Sequence, residues 1–469
     1  MVSARHKPPL MRQVFLPLLL LFLGLTTVHA LDGEAIVVDP SHRYQTFEGW
    51  GVSLCWSGKV IGAFPEPVRS EYADLLFHPA KGLGFNIARY NIGGGENPAL
   101  RPLGFREGIE GYQPAKGRWN WDADAGQRFL LQAAKERGAN LFEAFSNSPP
   151  WWMTVSGSVT GAKDKNGNNL APEHEEEFAE YLVEVVDHFR RDWGINFRTL
   201  TPLNEPDTHW WNYGGRQEGC RFDPPAQARI LHATARALER KGLATKLSAS
   251  DENSLDTAVS TFRSFDPATR GLIAQVNTHS YGGSQRAELA KLAANPRKTL
   301  WMSEYGDGDR SGMTLAGRIV DDLNGLHPAA WVYWQALDNP AWGLIANRED
   351  GKDTSYRIMP KYWVLAQFSR FIRPGATFVH VTDGNAVAAW NEDKRVLVVV
   401  CVNRDNADRN AAFDLSRFNA LAAKVEVLRT SRAESLAPLP GMAVEEGHFG
   451  SVLPGRSVTT FVVSGLSQK

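Results

Sequence analysis

The central part of the chain, from about residue 47 to residue 370, alternates between two hydrophobic patterns. Short apolar runs that end at Gly, Asn, Ser or Pro predict β-strands at 47–53, 86–92, 140–146, 199–204, 246–250, 275–280, 299–303 and 330–335. Between them lie stretches whose apolar residues recur every three or four positions, a spacing typical of amphipathic helices. The clearest helical stretches are 66–77, 125–137, 174–191, 225–240 and 314–326.

Strands that alternate with helices indicate parallel pairing through right-handed crossovers. Closure of eight such strands into a (β/α)8 barrel is the economical arrangement, and we predict an α/β fold of this kind. The alternative is an open, doubly wound sheet, which carries a Gly-rich phosphate-binding turn after its first strand. The run Gly93-Gly94-Gly95 follows the second strand, and no helix opens behind it, so the sequence does not predict a nucleotide site.

After Pro374 and Gly375 the pattern changes to β-rich runs separated by turn residues, with no obvious helix. These runs, at 378–381, 386–390, 396–402, 424–428 and 458–463, predict an antiparallel β-sandwich. Residues 35–39 are also strand-like, and we expect them to join this sandwich. The predicted divisions are a signal segment at 1–30, a strand segment at 31–46, the barrel at 47–373 and the sandwich at 374–469.

The first thirty residues have the pattern of a secretory signal. Three basic residues precede an almost wholly apolar stretch from Val14 to Leu25, and Ala30 ends the segment with a small residue suited to cleavage. The apolar stretch is too short to span a bilayer comfortably. We therefore predict export and cleavage after Ala30, with no stable membrane association; the alternative is an uncleaved anchor.

Charge and cysteine content narrow the function classes. Removing the three basic residues of the signal leaves 48 basic and 52 acidic side chains, a net charge of −4. This balance argues against nucleic acid as a partner, because proteins that bind nucleic acid carry a positively charged surface.

Three cysteines are too few for a disulfide scaffold. Cys55 and Cys220 fall on predicted rim loops, and the sequence leaves open whether they form a disulfide bond. No ligand spacing indicates zinc or calcium, so we predict no metal and no cofactor.

Two glutamates carry the strongest chemical signal. Glu205 lies in Asn204-Glu205-Pro206 and Glu304 in Ser303-Glu304-Tyr305, and each closes a strand-like run. In a (β/α)8 barrel the ends of such strands converge on one rim, where catalytic groups lie. Two carboxylates that face each other across a sugar-sized gap are the working groups of a glycosidase. The pair therefore predicts glycoside hydrolysis, with Asn204 placed to bind a sugar hydroxyl and a tyrosine hydroxyl in the neighbourhood of Glu304 to hold its carboxylate. Tyr305 is a candidate substrate-binding residue.

Aromatic residues cluster on the same predicted rim. Flat apolar rings suit the C–H faces of pyranose rings, and their N–H or O–H groups add orientation. The candidate sugar-binding aromatics are Trp50, Trp56, Trp151, Trp152, Trp210, Tyr281 and Trp334. Arg89 is a candidate partner for a rim carboxylate or a structural ion pair, and His279 is either a sugar ligand or a hydrogen-bonded residue at a strand end.

At this point the chain resembles glycoside hydrolase family 30, whose members are retaining (β/α)8 barrels with a side β-sandwich. The resemblance extends over nearly the whole mature chain. It rests on Phe47-Glu48-Gly49-Trp50-Gly51, Asn204-Glu205-Pro206, Ser303-Glu304-Tyr305-Gly306 and Gln367-Phe368-Ser369-Arg370-Phe371-Ile372-Arg373-Pro374-Gly375. The resemblance implies that Glu205 is the acid/base and Glu304 the nucleophile. We expect a polysaccharide or oligosaccharide substrate and a monomeric protein.

Within the family, three further motifs are similar to the endo-β-1,6-galactanases, which cut the galactan side chains of arabinogalactan proteins. They are Gly49-Trp50-Gly51-Val52-Ser53-Leu54-Cys55-Trp56, Ser146-Asn147-Ser148-Pro149-Pro150-Trp151-Trp152-Met153 and Gln217-Glu218-Gly219-Cys220. After Trp56 the chain departs from that group's pattern. Other β-linked substrates therefore stay open, namely glucosylceramide-like glucosides, β-1,6-glucan, xylan and fucosides, as does a non-catalytic carbohydrate-binding protein.

Overall fold

The structure is a computed structural model that describes residues 35–104, 107–294, 297–347, 353–420 and 423–469. The predicted signal segment and its cleavage site at Ala30 lie outside these residues. No helix within the described ranges combines the length and apolar character needed to cross a bilayer.

Eight parallel strands close into a barrel, as the alternating pattern predicts, and the open-sheet alternative is wrong. After a first strand β1 (Ile36–Thr46), the barrel strands are β2 (Gly49–Ser53), β3 (Ile87–Asn91), β4 (Leu141–Phe145), β5 (Thr199–Thr201), β6 (Lys246–Ser254), β7 (Ile273–Gly282), β8 (Thr299–Tyr305) and β9 (Ala330–Tyr333). The barrel closes where β2 pairs with β9, Gly51 lying opposite Val332. Every strand end that the sequence placed on the rim therefore lies on one face of the barrel.

Helices cover the outside of the barrel. The described residues form α1 (Cys55–Ala63), α2 (Val68–Phe77), α3 (Ala125–Glu136), α4 (Glu175–Asp192), α5 (Pro224–Lys241), α6 (Leu255–Ser264), α7 (Pro267–Leu272), α8 (Arg286–Ala294), α9 (Met313–Gly325) and α10 (Pro360–Ser369). Short 3-10 turns at Trp151–Met153 and Pro172–His174 lie in the rim loops. Helix α5 begins where the Asp223 carboxylate accepts the Ala226 N–H, with a proline in the first turn.

Helix α1 was not among the predicted helices because it is buried on nearly every side and so has no polar stripe. It packs closely on α3 through two glycines. A Cβ at Gly62 would lie 2.0 Å from the carbonyl oxygen of Gly126, so the contact requires glycine. This close approach fixes the loop that carries Cys55 and Trp56.

The side domain is a nine-stranded, mostly antiparallel sheet that folds into the predicted sandwich. Small strands β10 (Leu337–Asp338), β11 (Ile345–Ala346) and β12 (Arg357–Ile358) precede it along the chain. The later strands are β13 (Thr377–Val381), β14 (Ala386–Asn391), β15 (Val396–Asn403), β16 (Arg409–Asp414), β17 (Phe418–Asn419), β18 (Lys424–Thr430), β19 (Ala437–Ala443), β20 (His448–Leu453), β21 (Ser457–Ser464) and β22 (Ser467–Gln468). The sheet order is β19-β18-β21-β15-β14-β13-β1-β16-β20, so the N-terminal strand joins the C-terminal region, as expected.

The two halves of the sandwich meet in a core of their own. The Phe461 ring of β21 packs 4.8 Å from Phe413 of β16 and 5.5 Å from Phe449 of β20. Helix α10 joins this domain to the barrel: Gln367 donates to Thr430 Oγ1 at 2.9 Å, and its Oε1 accepts from Thr460 Oγ1 at 2.6 Å. These buried hydrogen bonds hold the side domain against the barrel.

Candidate active site

The two glutamates of the sequence analysis lie side by side on the rim. Glu205 follows the fourth barrel strand, β5, and Glu304 belongs to the seventh, β8. Both are buried. One oxygen of each carboxyl group and a nitrogen of His279 all lie within 4.8 Å of one another. The rim therefore brings together two carboxyl groups separated by 99 positions in the sequence.

The backbone at Glu205 has an unusual conformation. Its φ is 47°, in the left-handed region, and its N–H donates to the carbonyl oxygen of Asp251 at 2.9 Å. Asp251 is itself left-handed, with φ 58°. For residues other than glycine such a conformation costs about 1–3 kcal/mol and persists only where the surroundings enforce it. The paired conformations fix the chain after β5 against the end of β6.

The side chain of Glu205 is held through one oxygen. Oε1 accepts from Nδ2 of Asn253 at 2.6 Å and lies 3.1 Å from Nδ1 of His279. Asn253 lies at the end of β6 and was not predicted as a site residue. Its only sequence signal is a polar residue just beyond an apolar strand.

Glu304 is held through both oxygens. Tyr281 donates its hydroxyl to Oε1 at 3.2 Å, and Nη1 of Arg89 lies 3.3 Å from Oε2. The pKa of Glu304 is raised to about 7 by burial, against the lowering effect of His279, and the nearby Glu205 raises it further. Two carboxyl groups this close cannot both ionise freely. Arg89, Tyr281 and His279 converge on Glu304, and these contacts favour its ionised form.

Arg89 is the centre of a buried charge network beneath the two glutamates. Its guanidinium bonds Glu143 at 2.9 Å and Asp251 at 2.7 Å, in addition to Glu304. Burial alone would lower the pKa of Arg89, and the three carboxylates outweigh it. Burial would likewise raise the pKa of Asp251, yet Arg89 and His279 hold it at about 2. The three buried carboxyl groups thus share one guanidinium as their partner.

Glu143 and Asp251 were missed by sequence reasoning. Glu143 also accepts hydrogen bonds from Thr199, Ser248, Gln275 and Asn277. The signal that could have revealed it is a single charge within the otherwise apolar run of β4, because charged residues are almost never fully buried unless paired.

His279 lies between three carboxylates. Nδ1 faces Glu205, and Nε2 lies 3.3 Å from Asp251 Oδ1. Burial would lower the pKa of His279, but Glu304 and Asp251 raise it to about 10, so the ring is an imidazolium at neutral pH. Glu205, His279 and Glu304 are the described residues whose ligand atoms are close enough to hold a metal ion. An imidazolium has no lone pair to offer, so this donor set fits ion pairing better than metal binding.

A cleft of about 440 Å³ opens above the two glutamates. Of the predicted residues, it is lined by Asn204, Glu205, Glu304, Trp56, Tyr281 and Trp334. The rings of Trp56 and Trp334 meet edge to face at 5.3 Å. Further lining residues are Glu107, Asn147, Trp211, Gln217, Glu218, Asn253, Gln335, Asp338, Asn339 and Trp342.

Some predicted binding residues do not line this cleft. Trp50 is fully buried, packs between Phe47 and Phe368, and donates Nε1–H to the Ile372 carbonyl oxygen. Successive side chains of a strand point to opposite faces, and Trp50 points toward the helix layer. The structure therefore corrects the expectation that Trp50 binds substrate and makes it a packing residue.

The other rim aromatics occupy different places. Trp151 lines a neighbouring cavity, and Trp152 donates its indole N–H to the Gln113 carbonyl oxygen at 2.8 Å. Trp210 is 47% exposed and does not line the cleft. Tyr305 packs behind Tyr281, with ring centroids 5.6 Å apart. Arg89 and His279 contact the glutamates from below.

The cysteines Cys55, Cys220 and Cys401 are buried and free, so the possible disulfide bond between Cys55 and Cys220 is absent.

Glu218 brings a further buried carboxyl group to the cleft wall. It accepts from the Gly94 N–H at 2.7 Å and, more weakly, from Asn91 Nδ2 at 3.3 Å and the Ile109 N–H at 3.4 Å. Burial nevertheless raises the pKa of Glu218 to about 8. This side chain therefore ties two rim loops to the cleft and is protonated through much of the neutral range.

We expect the free energy of unfolding to fall as the pH rises from about 4.5 to about 8. The folded pKa of Glu218, about 8, lies above its ordinary value of 4.5, so its contribution is complete below the lower value and lost toward the higher one. Glu218→Gln should flatten this slope in urea unfolding measured across that range. Part of the slope should remain, because burial also raises the pKa of Asp124 and of Glu252 to about 7. Identical slopes in the two proteins would contradict the expectation.

Comparisons with known proteins agree with this geometry. A family profile described as "O-Glycosyl hydrolase family 30" matches residues 33–279. The chain is 35% identical to an endo-beta-1,6-galactanase of Hypocrea rufa, over 97% of this chain and 99% of that protein. It is 24% identical to an exo-beta-1,6-galactobiohydrolase of Bifidobacterium longum subsp. longum, over 84% of this chain and 36% of that protein. The solved catalytic domain of GH30 xylanase C from Talaromyces cellulolyticus shares the fold with a TM-score of 0.72 and 24% identity, covering 92% of this chain and 100% of that one.

Proposed function

Because the chain belongs to O-glycosyl hydrolase family 30 and is a glycoside hydrolase, we propose that it is an endo-acting β-1,6-galactanase that cleaves the β-1,6-galactan side chains of arabinogalactan with retention of configuration. The observation that carries the proposed mechanism is the carboxyl pair Glu205 and Glu304, with oxygens within 4.8 Å. Retaining glycosidases hold their carboxyl groups about 5–5.5 Å apart, whereas inverting ones leave about 6.5–9.5 Å for a water molecule. The short separation supports double displacement.

The contacts of the two carboxyl groups support distinct roles. Glu304 faces Arg89, Tyr281 and His279, all of which favour its anion, so it is the nucleophile that bonds to the anomeric carbon. Among the described residues no guanidinium faces Glu205, and Glu205 is the acid that passes a proton to the departing glycosidic oxygen. In the second step Glu205 takes a proton from water, the water oxygen bonds to the anomeric carbon, and Glu304 leaves as carboxylate.

The cleft walls support a sugar substrate. Trp56, Trp211, Trp334 and Trp342 surround the glutamates with apolar rings, and Asn147, Asn204 and Asn253 add amide groups. Pockets of this kind, apolar with a few placed polar groups, fix the orientation of a small ligand. The preference for β-1,6-linked galactose rests on the 35% identity with the Hypocrea rufa enzyme.

A product profile tests the proposal. Purified protein would be incubated with de-arabinosylated arabinogalactan and, in parallel, with β-1,3-galactan, xylan and β-1,6-glucan. A ladder of β-1,6-linked galacto-oligosaccharides is expected, with the Glu304→Gln variant as the control for contaminating enzyme. Products from another polymer and none from galactan would contradict the substrate and leave the mechanism standing. Binding without product on any polymer would favour a carbohydrate-binding protein.

The proposal includes export and action as a monomer. Export is supported by the basic and apolar pattern of the first thirty residues. N-terminal sequencing of the exported protein should begin at Leu31, and light scattering should give the mass of one chain. A retained N-terminus or a dimer mass would contradict the respective part.

A further inference from the structure

The carboxyl group of Glu205 has two unlike oxygens. Oε1 accepts from Asn253 at 2.6 Å and faces His279 at 3.1 Å. Among the described residues Oε2 has no hydrogen-bond partner, and the side chain is 9% exposed on the wall of the cleft. Glu304 differs, because Tyr281 and Arg89 occupy both of its oxygens. Glu205 is thus held by the protein on one side and open to a ligand on the other.

We infer that Asn253 is a positioning residue that, together with His279, occupies Oε1 of Glu205 and leaves Oε2 as the oxygen that exchanges the catalytic proton. This inference rests on the proposed function, because it assigns an atom to the acid/base role of Glu205. Asn253 acts through Glu205 and has no chemical step of its own.

The available donor groups fix the direction of the two hydrogen bonds to Oε1 of Glu205, one from His279 and one from Asn253. His279 has carboxylate oxygens near both ring nitrogens, so Nδ1 donates to Glu205. Nδ2 is the atom of Asn253 that faces Oε1, so the amide donates its N–H to that oxygen. A proton on Oε1 would meet two donors already directed at that atom. Protonation on Oε2 avoids this conflict and places the proton on the open side.

The backbone holds Asn253 in place for this role. The N–H of Glu205 donates to the Asp251 carbonyl oxygen at 2.9 Å, and both residues have left-handed φ values. Asn253 lies two residues beyond Asp251 on β6, whose pairing with β7 is irregular between Glu252 and Ser254. The irregularity and the backbone link set the amide beside the carboxyl group. The main chain therefore fixes the position of the Asn253 amide, which donates the 2.6 Å hydrogen bond to Glu205.

In the first step the proton on Oε2 moves to the glycosidic oxygen while the bond from that oxygen to the anomeric carbon breaks. Oε1 keeps its two donors, which stabilise the carboxylate that forms. In the second step Oε2 takes the proton from the attacking water, and the carboxyl group returns to its starting state. Loss of Asn253 should therefore impair proton transfer in particular.

A double-mutant cycle with two substrates tests the inference. β-1,6-Galactotriose has a poor leaving group and needs the proton, whereas a 2,4-dinitrophenyl β-galactobioside has a good one and does not. Asn253→Ala should lower kcat/KM on galactotriose about 10- to 100-fold and on the aryl substrate less than about threefold, because misplacing a catalytic group costs up to about 100-fold. In the Glu205→Ala background the same change should alter neither rate by more than about twofold.

Asn253→Asp removes the donor at nearly the same size and should show the same selective loss, so the result does not depend on one variant. Thermal unfolding of each variant monitors the fold. Equal slowing of both substrates, or further slowing of galactotriose in the Glu205→Ala background, would show that Asn253 has only a structural role. Either result would overturn this inference and leave the proposed function standing. Failure of the wild-type enzyme on both substrates would overturn the proposed function and the inference with it.

Discussion

Replacement of Glu304 by glutamine is expected to lower kcat on β-1,6-galacto-oligosaccharides by at least about 10⁴-fold, because loss of a nucleophile removes a whole covalent step. A neutral amide does not attack the anomeric carbon. It still accepts from Arg89 and contacts Tyr281, so the fold should be kept. Initial rates on a reducing-sugar assay check the expectation.

The control for Glu304→Gln is its thermal unfolding midpoint, which should stay close to that of the wild-type protein. A 2-deoxy-2-fluoro galactosyl fluoride should label the wild-type chain at Glu304 and leave the variant unlabelled in mass spectrometry. Near-native turnover by the variant, with contaminating enzyme excluded, would contradict the role of Glu304.

Replacement of Glu205 by alanine is expected to lower kcat on β-1,6-galactotriose by about 10²–10⁴-fold, which is the range that general acid catalysis supplies. Substrates with activated aryl leaving groups need little protonation, so the bond-breaking step on them should be much less affected. Breakdown of the glycosyl-enzyme also needs Glu205 as base, and azide, which needs no base, should restore that step. The measurement is the dependence of kcat/KM on leaving-group pKa, which should become steeper in the variant.

The matched control for Glu205→Ala is Glu205→Gln, which keeps the size of the side chain and its contact with Asn253. Both variants should show the same steepening, because neither can donate the proton. Equal slowing of good and poor leaving groups would argue that Glu205 has a structural role.

The framework of the fold was readable from the sequence because its elements carry local signals. The eight barrel strands are short apolar runs, and their alternation with helices leaves few topologies. Convergence of Glu205 and Glu304 followed from the rule that strand ends share one rim. Strands β16, β19 and β20 were missed because their sequences hold polar residues, proline or glycine and lie half exposed.

The residues that hold the two glutamates in place could not be predicted from the sequence in the same way. The link between Glu205 and Asp251 depends on two left-handed residues, and no local pattern requires that conformation of either one. Asn253 meets Glu205, and Glu143 meets Arg89, only when the strands assemble into the barrel. Trp50 was misplaced because a tryptophan beside a strand end has the same sequence signal whether it points to the rim or to the helix layer.

Strand β1 has a consequence for the order in which the molecule can be built. Val37 donates its N–H to Thr382, 345 positions further along the chain, and Val38 lies opposite Val381 in the sheet. During synthesis the ribosome must make the whole barrel before β1 can find its partner. Closing so long a separation is a late and slow event, since distant pairings form last. The side domain therefore completes only in a full-length chain, and a truncated product keeps an open sheet edge that quality-control proteases and chaperones can bind.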